Sequence, residues 1–314
     1  MANFLVRRVL SIIPVMLIVS AFVFLLIHIT PGDPASYMLG SSATPAQVRA
    51  LRIELGLNQP MYKQFLVWFG AAIHGNLGES IFMGIPVTLA IWQRLQPTFL
   101  LTLLAVVFEI LIGVPAGIVA ASRRNTWVDQ TVMVLSLLGL SMPSFWLGLN
   151  LILFFGVDLR ILPVAGYITL ARSPWGAFRS LLMPAFSLGF INAALVARMT
   201  RSSTLDVLSQ DFVRTARAKG LAGPRVLWRH AFRNALLPVL TAVGNSFALL
   251  LGGLVVTEQV FAIPGVGQLV INAVNERDYP VIQGALLYIV TLYVIINIVV
   301  DLVYAVADPR IRFS

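Results

Sequence analysis

Long apolar runs separated by short polar segments dominate the chain. An α-helix needs roughly 18 to 20 consecutive apolar residues to cross the hydrocarbon core of a bilayer. Runs of about this length predict transmembrane helices over residues 9–29, 98–121, 131–157, 182–199, 236–256 and 282–306. Since a helix satisfies all its backbone polar groups internally, the pattern predicts an all-α integral membrane protein with about six transmembrane helices.

The first apolar run resembles a secretory signal peptide because it follows Arg7 and Arg8. It is nevertheless long enough to span the bilayer, and it continues into Thr30 and Pro31 without a small-residue cleavage site. We therefore expect an uncleaved first transmembrane helix.

The segment that follows is the most polar part of the chain and predicts an external insert. Thr44 is a typical N-cap and Pro45 a typical first helical residue, so a short helix should end before Gly56. A second helix is predicted over 61–72, and a third, short one over 86–95.

The resulting domain prediction has two parts. The first transmembrane helix and the external insert form residues 1–95, and a five-helix core forms residues 96–314. The core contains a polar loop at about 201–235 between the fourth and fifth spans.

Composition narrows the possible functions. Of the residues, 58% are hydrophobic and 11% are charged, with a net charge of +9. The basic residues flank apolar spans, as the positive-inside rule requires, so a nucleic-acid partner is not expected and both termini should be cytoplasmic. The chain has no cysteine and three histidines far apart in sequence, so neither a disulfide nor a metal site is predicted.

The 201–235 loop is too polar to span and too regular to be a flexible linker. A helix from about Ser203 should end at Gly220, with Arg217 and Lys219 complementing its dipole, and Pro224 should start a second helix. This arrangement predicts a compact, cation-rich knob. From the residues alone, an amphipathic loop attracted to anionic lipid stays an open alternative.

The loop also resembles the EAA loop of ABC-importer permeases. Ala216 and Gly220 match the third and last positions of the motif EAA-x-x-x-G, whereas Arg214 and Thr215 replace its first two residues. Those departures resemble one subfamily, the dipeptide/oligopeptide/nickel-type permeases. Segments similar to that subfamily occur in order along the chain at residues 29–34, 55–60, 214–220, 230–238 and 258–267.

The resemblance implies a type-I ABC importer permease fold in a bacterial or archaeal inner membrane. It implies a second paralogous permease, two ABC ATPase subunits and an external solute-binding protein as partners, with a di- or oligopeptide, glutathione or nickel chelate as solute. The chain has no P-loop, so ATP and Mg would be bound by the partner ATPases, and this chain would be neither an enzyme nor a cofactor protein. The residues implied to couple it to the ATPase are Arg214, Ala216, Arg217, Gly220, Leu221, Gly223, Pro224 and Arg225.

Polar residues inside the predicted spans are candidates for lining a translocation path. A carboxylate within an apolar run, as at Glu109, is a functional candidate by default. The alternative for each candidate is an interhelical hydrogen bond. The candidates are Glu109, Ser141, Ser144, Asn192, Asn245 and Ser246.

Three acidic residues near the external ends of the last spans have a separate interpretation. Glu258, Glu276 and Asp278 would contact the binding protein or form a solvated acidic rim.

An ion-coupled secondary transporter working without ATPase partners is the alternative function. Such a protein needs buried carboxylate or histidine relays, for which Glu109 and Asp301 are the available residues. A channel or scaffolding membrane protein is a further alternative.

Overall fold

The computed structural model describes residues 2–29, 34–39, 43–54 and 56–307. It divides into two compact units. The first comprises the chain up to Gln96 together with Gln268–Ile295, and the second comprises Pro97–Gly267 together with the chain from Ile296. The domain boundary expected between residues 95 and 96 stays a prediction. Residues 30–33 of the segment 29–34, and residues 308–314, lie outside the described residues.

The first unit begins with four helices. These are α1 (Ala2–Ile29), α2 (Pro34–Leu39), α3 (Pro45–Glu54) and α4 (Met61–Ile73). The predicted N-cap of α3 is confirmed, because the Gln47 N–H donates to Thr44 Oγ1 at 3.4 Å while Gln47 Oε1 accepts from the Thr44 N–H at 2.9 Å. This reciprocal pair is a capping box, which satisfies two of the free N–H groups at a helix start.

A buried carboxylate anchors the loop that follows α4. Asp278 is 1% exposed, and its Oδ2 accepts a hydrogen bond of 2.5 Å from the Ser80 hydroxyl. Ser80 Oγ in turn accepts from the Met83 N–H at 2.9 Å.

A glycine brings Val87 close to the backbone at Gly284. A Cβ on Gly284 would lie 2.5 Å from Val87 Cγ1, so only glycine permits this contact.

The remaining helices include the long apolar ones. They are α5 (Val87–Ser122), α6 (Trp127–Ser141), α7 (Ser144–Leu151), α8 (Pro174–Leu208), α9 (Asp211–Ala218), α10 (Gly223–Arg225), α11 (Arg233–Val260), α12 (Val266–Glu276) and α13 (Tyr279–Ala307). Two π-helical turns, Ile152–Asp158 and Val226–Phe232, continue α7 and α10. Among the described residues there is no β-strand, only an isolated bridge between Glu79 and Pro86.

Helix α5 joins two elements that the sequence pattern predicts separately. The short helix expected over 86–95 and the span expected over 98–121 form one helix of 36 residues. It continues through Pro97 and Pro115. Proline is tolerated in membrane helices because neighbouring groups re-satisfy the freed backbone carbonyl groups.

The predicted third span, 131–157, is broken. Helices α6 and α7 meet at an angle of 99°. Met142 between them is extended (φ −89°, ψ 131°), since the residue before a proline is pushed out of the helical region by Pro143. The span predicted at 131–157 is therefore present as two helices with a bend before Pro143, and the cause of the bend is local and steric.

Among the described residues, three helices are individually long and apolar enough to cross a membrane, and the number reaches five if the bent pair α6–α7 and the bent helix α11 each form one span. These candidates cover the predicted second to sixth spans. Helix α1 has 28 residues, and its segment 12–25 is a further, shorter apolar helix segment. The architecture is therefore all-α and membrane-spanning, and the count of about six stays a prediction.

Glycines bring α5 and α8 into close contact. A Cβ on Gly113 would lie 2.7 Å from the Ala193 carbonyl oxygen, and one on Gly117 would lie 2.5 Å from the Ala197 carbonyl oxygen. Gly113 and Gly117 form the small-x-x-x-small pattern that lets membrane helices approach through their backbones. On the facing helix, a Cβ on Gly189 would lie 2.4 Å from the Ala105 carbonyl oxygen.

We predict that Gly117→Ala destabilises the protein by about 1–3 kcal/mol, because the added methyl group must push α5 away from α8. Unfolding of the purified chain in mixed detergent and SDS measures this free energy. Gly252→Ala is the matched control, since a Cβ on Gly252 meets nothing within 4 Å and alanine favours a helix. Equal stability of the two variants would contradict the proposed contact.

Candidate coupling site

The knob predicted over 201–235 begins as a direct extension of α8. Helix α8 continues to Leu208, so the helix expected from Ser203 is the end of α8 and not a separate element. The chain turns at Ser209 and Gln210, where Gln210 is extended (ψ 152°). Helix α9 then begins at Asp211, whose carboxylate suits the positive end of the helix dipole.

An apolar cluster fixes α9 to the rest of the second unit. Val213 and Ala216, three residues apart on one face of α9, are buried. Leu221 packs against the same cluster from the following turn. The buried members of the cluster, from α8 to α11, are Val207, Val213, Ala216, Val226, Ala231 and Ala235. Ala216 therefore supports the knob from within.

Gly220 reverses the chain after α9. Its φ is +78°, a left-handed conformation that glycine adopts without steric cost. The Gly220 N–H donates to the Arg217 carbonyl at 2.9 Å, and the Leu221 N–H donates to the Ala216 carbonyl at 3.3 Å. These bonds close the helix end as in a glycine-terminated C-cap, which confirms the predicted stop at Gly220.

The outer surface of the knob is exposed and basic. Two large apolar side chains, Phe212 and Trp228, are exposed on it. The other exposed residues of this surface are Arg214, Arg217, Lys219, Gly223, Pro224 and Arg225. Arg214 Nη1 lies 3.3 Å from Asp211 Oδ1, but both side chains are largely in solvent, where such a pair contributes little. The surface thus offers a partner guanidinium groups and apolar contacts.

A buried ion pair connects α6 with the end of α8 that leads into the knob. Arg201 contacts Asp129 in a bidentate manner, with Nε 2.5 Å from Oδ1 and Nη2 2.7 Å from Oδ2. Asp129 is 4% exposed and also accepts from the Asn125 N–H at 3.0 Å. Asn125 has a φ of +63°, which a short polar side chain tolerates. The pair fixes the start of the broken span to the base of the knob.

Another buried carboxylate lies within the second unit. Glu258 is 0% exposed, and its Oε1 accepts a 2.6 Å hydrogen bond from the Thr98 hydroxyl. Thr98 Oγ1 itself accepts from the Val266 N–H at 2.9 Å. A Cβ on Gly265 would lie 2.0 Å from Glu258 Oε1, so the glycine makes room for the carboxylate.

This burial corrects the expected role of the acidic residues. Glu258 and Asp278 are buried and hydrogen-bonded, so neither forms a solvated rim or an open contact surface. Glu276 is exposed, as expected. The sequence 258–267 is therefore a structural motif, in which a turn closes over its own carboxylate.

Two of the six candidates for a translocation path are brought together. Ser246 Oγ lies 2.8 Å from Glu109 Oε2, which joins α11 to α5, and both residues are fully buried. No described group bonds to Glu109 Oε1. The interhelical bond matches the alternative interpretation of Glu109, and its role in lining a path stays a prediction.

The other four candidates are dispersed. The Ser141 hydroxyl donates to the Leu137 carbonyl, and the Asn192 amide donates to the Leu188 carbonyl, each within its own helix. Ser141 ends α6 and Ser144 begins α7, so they flank the 99° break. Asn245 is exposed on α11.

Comparison with protein families matches two parts of the chain. Residues 113–313 match the family described as binding-protein-dependent transport system inner membrane component. Residues 1–84 match the N-terminal family of the same membrane components. The chain belongs to the binding-protein-dependent transport permease family. The knob lies inside the larger matched region, as the resemblance implied.

Curated permeases of the family align over the full length of the chain. A putative peptide transport system permease protein of Brucella abortus is 47% identical over 100% of both chains. A probable peptide ABC transporter permease protein of Sinorhizobium fredii is 44% identical, and the glutathione transport system permease protein GsiC of Escherichia coli is 42% identical, again over 100% of both chains.

A solved structure has the same permease fold. A chain of the MetNI methionine ABC transporter in an inward-facing conformation superposes with a TM-score of 0.59 at 19% identity, covering 70% of this chain and 96% of that one. At this identity the likeness concerns the fold alone.

Sequence reasoning missed the Asp129–Arg201 and Thr98–Glu258 pairs in this permease. In the sequence, Arg201 indicates only on which side of the membrane its loop lies. Asp129 is an isolated acidic residue at a helix start. Their partners are 72 and 160 residues away along the chain. The one sequence feature that indicated a tightly packed site at Glu258 was the pair of glycines that follows it, Gly265 and Gly267.

We predict that Arg201→Gln destabilises the permease more than Asp129→Asn. Removing the arginine leaves a buried carboxylate unpaired, whereas Arg201 is 25% exposed and can regain water. Each change should cost about 1–3 kcal/mol, and the double variant should cost less than the two together. A double-mutant cycle of unfolding free energies measures this; additive effects would show that the pair is not coupled.

Proposed function

We propose that this chain is one of two paralogous permease subunits of an ATP-driven importer, and that it forms half of a path for di- or oligopeptides or a related small solute. The proposed partners are a second permease, two ATPase subunits and an external solute-binding protein. The knob, with both chain termini, would lie on the cytoplasmic side of the inner membrane. The family match favours this function over an ion-coupled transporter.

One observation carries the proposal: the knob is a rigid, basic projection on an apolar base. Val213 and Ala216 are held in the same cluster as Val207 of α8 and Ala235 of α11. Arg214, Arg217 and Arg225 lie outside that cluster and are exposed. A loop that only met lipid headgroups would not need a helix locked into the core in this way.

The same packing offers a route for mechanical coupling. A partner that displaces α9 must displace the ends of α8 and α11, because the three share one buried cluster. From α8 the displacement reaches α6 through Arg201 and Asp129, and α6 leads to the 99° break. ATP-driven closure of the ATPases would thus bias the bundle between two conformations, which is what energetic coupling requires. ATP and Mg would be bound by the ATPase partners.

We propose that the exposed residues of the knob contact the ATPase, and that its buried and turn residues determine its shape. Gly220 and Leu221 set the direction of the chain after α9, and Ala216 supports it from below. Gly223 and Pro224 begin the next helix, with Pro224 in its first turn.

We expect Gly220→Val to abolish substrate-stimulated ATP hydrolysis by the assembled complex, because a β-branched residue is strained at φ +78°. Gly220→Asn should keep most of the stimulation, since asparagine tolerates this conformation. Gly252→Ala, which lies outside the knob, is the control: its Cβ has free space and its φ is not positive. ATPase assays in proteoliposomes with loaded binding protein give the comparison.

The three variants separate two kinds of failure. If all retain stimulation, α9 is not the coupling element. If Gly220→Asn fails together with Gly220→Val, the position contacts the partner directly and the turn geometry is not the cause.

We predict that the complex isolated from native membranes contains a second permease and P-loop ATPases. We also predict that its binding protein selects the solute. Uptake of a labelled dipeptide into proteoliposomes should be inhibited by excess unlabelled di- or tripeptide. Inhibition by glutathione alone would assign the solute to the class transported by GsiC. Isolation of the chain without ATPases in several detergents would overturn the importer assignment.

A further inference from the structure

Helix α4 is an apolar helix that belongs to the polar insert. It runs from Met61 to Ile73 and carries one charged residue, Lys63. At 13 residues it is about 20 Å long, which is too short to cross a hydrocarbon core of about 30 Å. None of its residues is buried within this chain.

One face of α4 packs against α1. The Phe65 ring lies 5.5 Å from the Phe24 ring in an edge-to-face arrangement, and the Trp68 ring lies 5.9 Å from the same ring. Phe24 is buried by these contacts. Such aromatic pairs are favourable beyond the area they bury, so α4 is fixed beside the C-terminal part of α1.

The adjacent face of α4 is largely exposed, although Phe69 on it is half-buried and stacks on Phe65 with ring centroids 5.4 Å apart. Tyr62, Leu66, Phe69 and Ile73 recur at intervals of three and four residues and so form one stripe along the helix. Tyr62 is 63% exposed, Leu66 62% and Ile73 67%. An apolar stripe of this extent on a soluble surface is uncommon, and it marks a surface that meets lipid or protein.

Exposed apolar residues of α1 lie on the same face as its contact with α4. Leu17 lies two turns before Phe24 and Ile13 three turns before it, and they are 41% and 51% exposed. An apolar membrane helix exposes such residues to acyl chains. Because Phe24 joins α4 to α1, the stripe of α4 lies at the end of that lipid-exposed surface.

The polar groups of α4 are placed as an interfacial helix requires. Gln64 Nε2 donates to the Gln59 carbonyl at 2.8 Å, which fixes the helix start, and His74 Nδ1 lies 2.8 Å from the Gly70 carbonyl oxygen at its end. Lys63 is exposed and has a stem long enough to reach water. Tyrosine and tryptophan, as at Tyr62 and Trp68, are enriched at membrane–water boundaries.

We propose that α4 lies in the membrane–water interface reached by the C-terminal end of α1, with Tyr62, Leu66, Phe69 and Ile73 immersed in lipid. The insert is then attached to the bilayer surface as well as to α1. A partner protein on this stripe is the competing occupant, and the experiment below separates the two.

The absence of cysteine from the chain permits site-directed spin labelling without background. Leu66→Cys carries the label on the stripe. Ile18→Cys on α1 provides the lipid reference, and Ala50→Cys on the exposed surface of α3 provides the water reference. Each labelled chain is isolated with its native partners in nanodiscs of phosphatidylethanolamine and phosphatidylglycerol. Collision rates with oxygen, which concentrates in lipid, and with a water-soluble nickel chelate are then measured.

The expected result is a several-fold higher oxygen-to-nickel collision ratio at position 66 than at position 50, close to the ratio at position 18. Low collision rates with both reagents at position 66 would show that protein covers the stripe and would overturn the proposal. A nickel collision rate equal to that at position 50 would place the stripe in water, with the same consequence. A second label at Ile73→Cys should give the same ratio as the label at position 66. None of these outcomes depends on whether the knob couples the chain to ATP hydrolysis.

Discussion

The close contact of α5 with α8 is the constraint on which the second unit depends. Without side chains at Gly113, Gly117 and Gly189, the two helix backbones approach to distances that any Cβ would prevent. In a bilayer no hydrophobic effect drives helices together, so contact of this kind and interhelical polar pairs provide the attraction. Helix α8, which is the most buried of the long apolar helices, serves as the central element.

The remaining features of the unit attach to this helix pair. Arg201 and Asp129 fix the start of α6 to α8, and the apolar cluster around Val213 fixes α9 to its end. The knob is consequently an extension of the membrane core. A projection joined by a flexible linker could bind a partner but could not transmit its movement.

Buried carboxylates have a structural role at three places in this permease. Asp129 is paired with an arginine, Glu258 accepts a hydrogen bond from the Thr98 hydroxyl, and Asp278 accepts from the Ser80 hydroxyl and from backbone N–H groups. Burying a carboxylate is costly unless such partners are present, so each one fixes a specific arrangement of helices and loops. Glu109, with one oxygen bonded to Ser246 and one unbonded, is the exception among the described residues.

The sequence by itself determined the membrane class, the helical architecture, and the helix stops at Gly56 and Gly220. Each of these depends on local properties: apolar run length, a cap residue or a left-handed turn. Tertiary structure decided that α8 extends to Leu208, that Glu258 and Asp278 are buried, and that Asp129 meets Arg201. These outcomes follow from which helices become neighbours, and hydropathy carries no information about partners 72 to 198 residues apart.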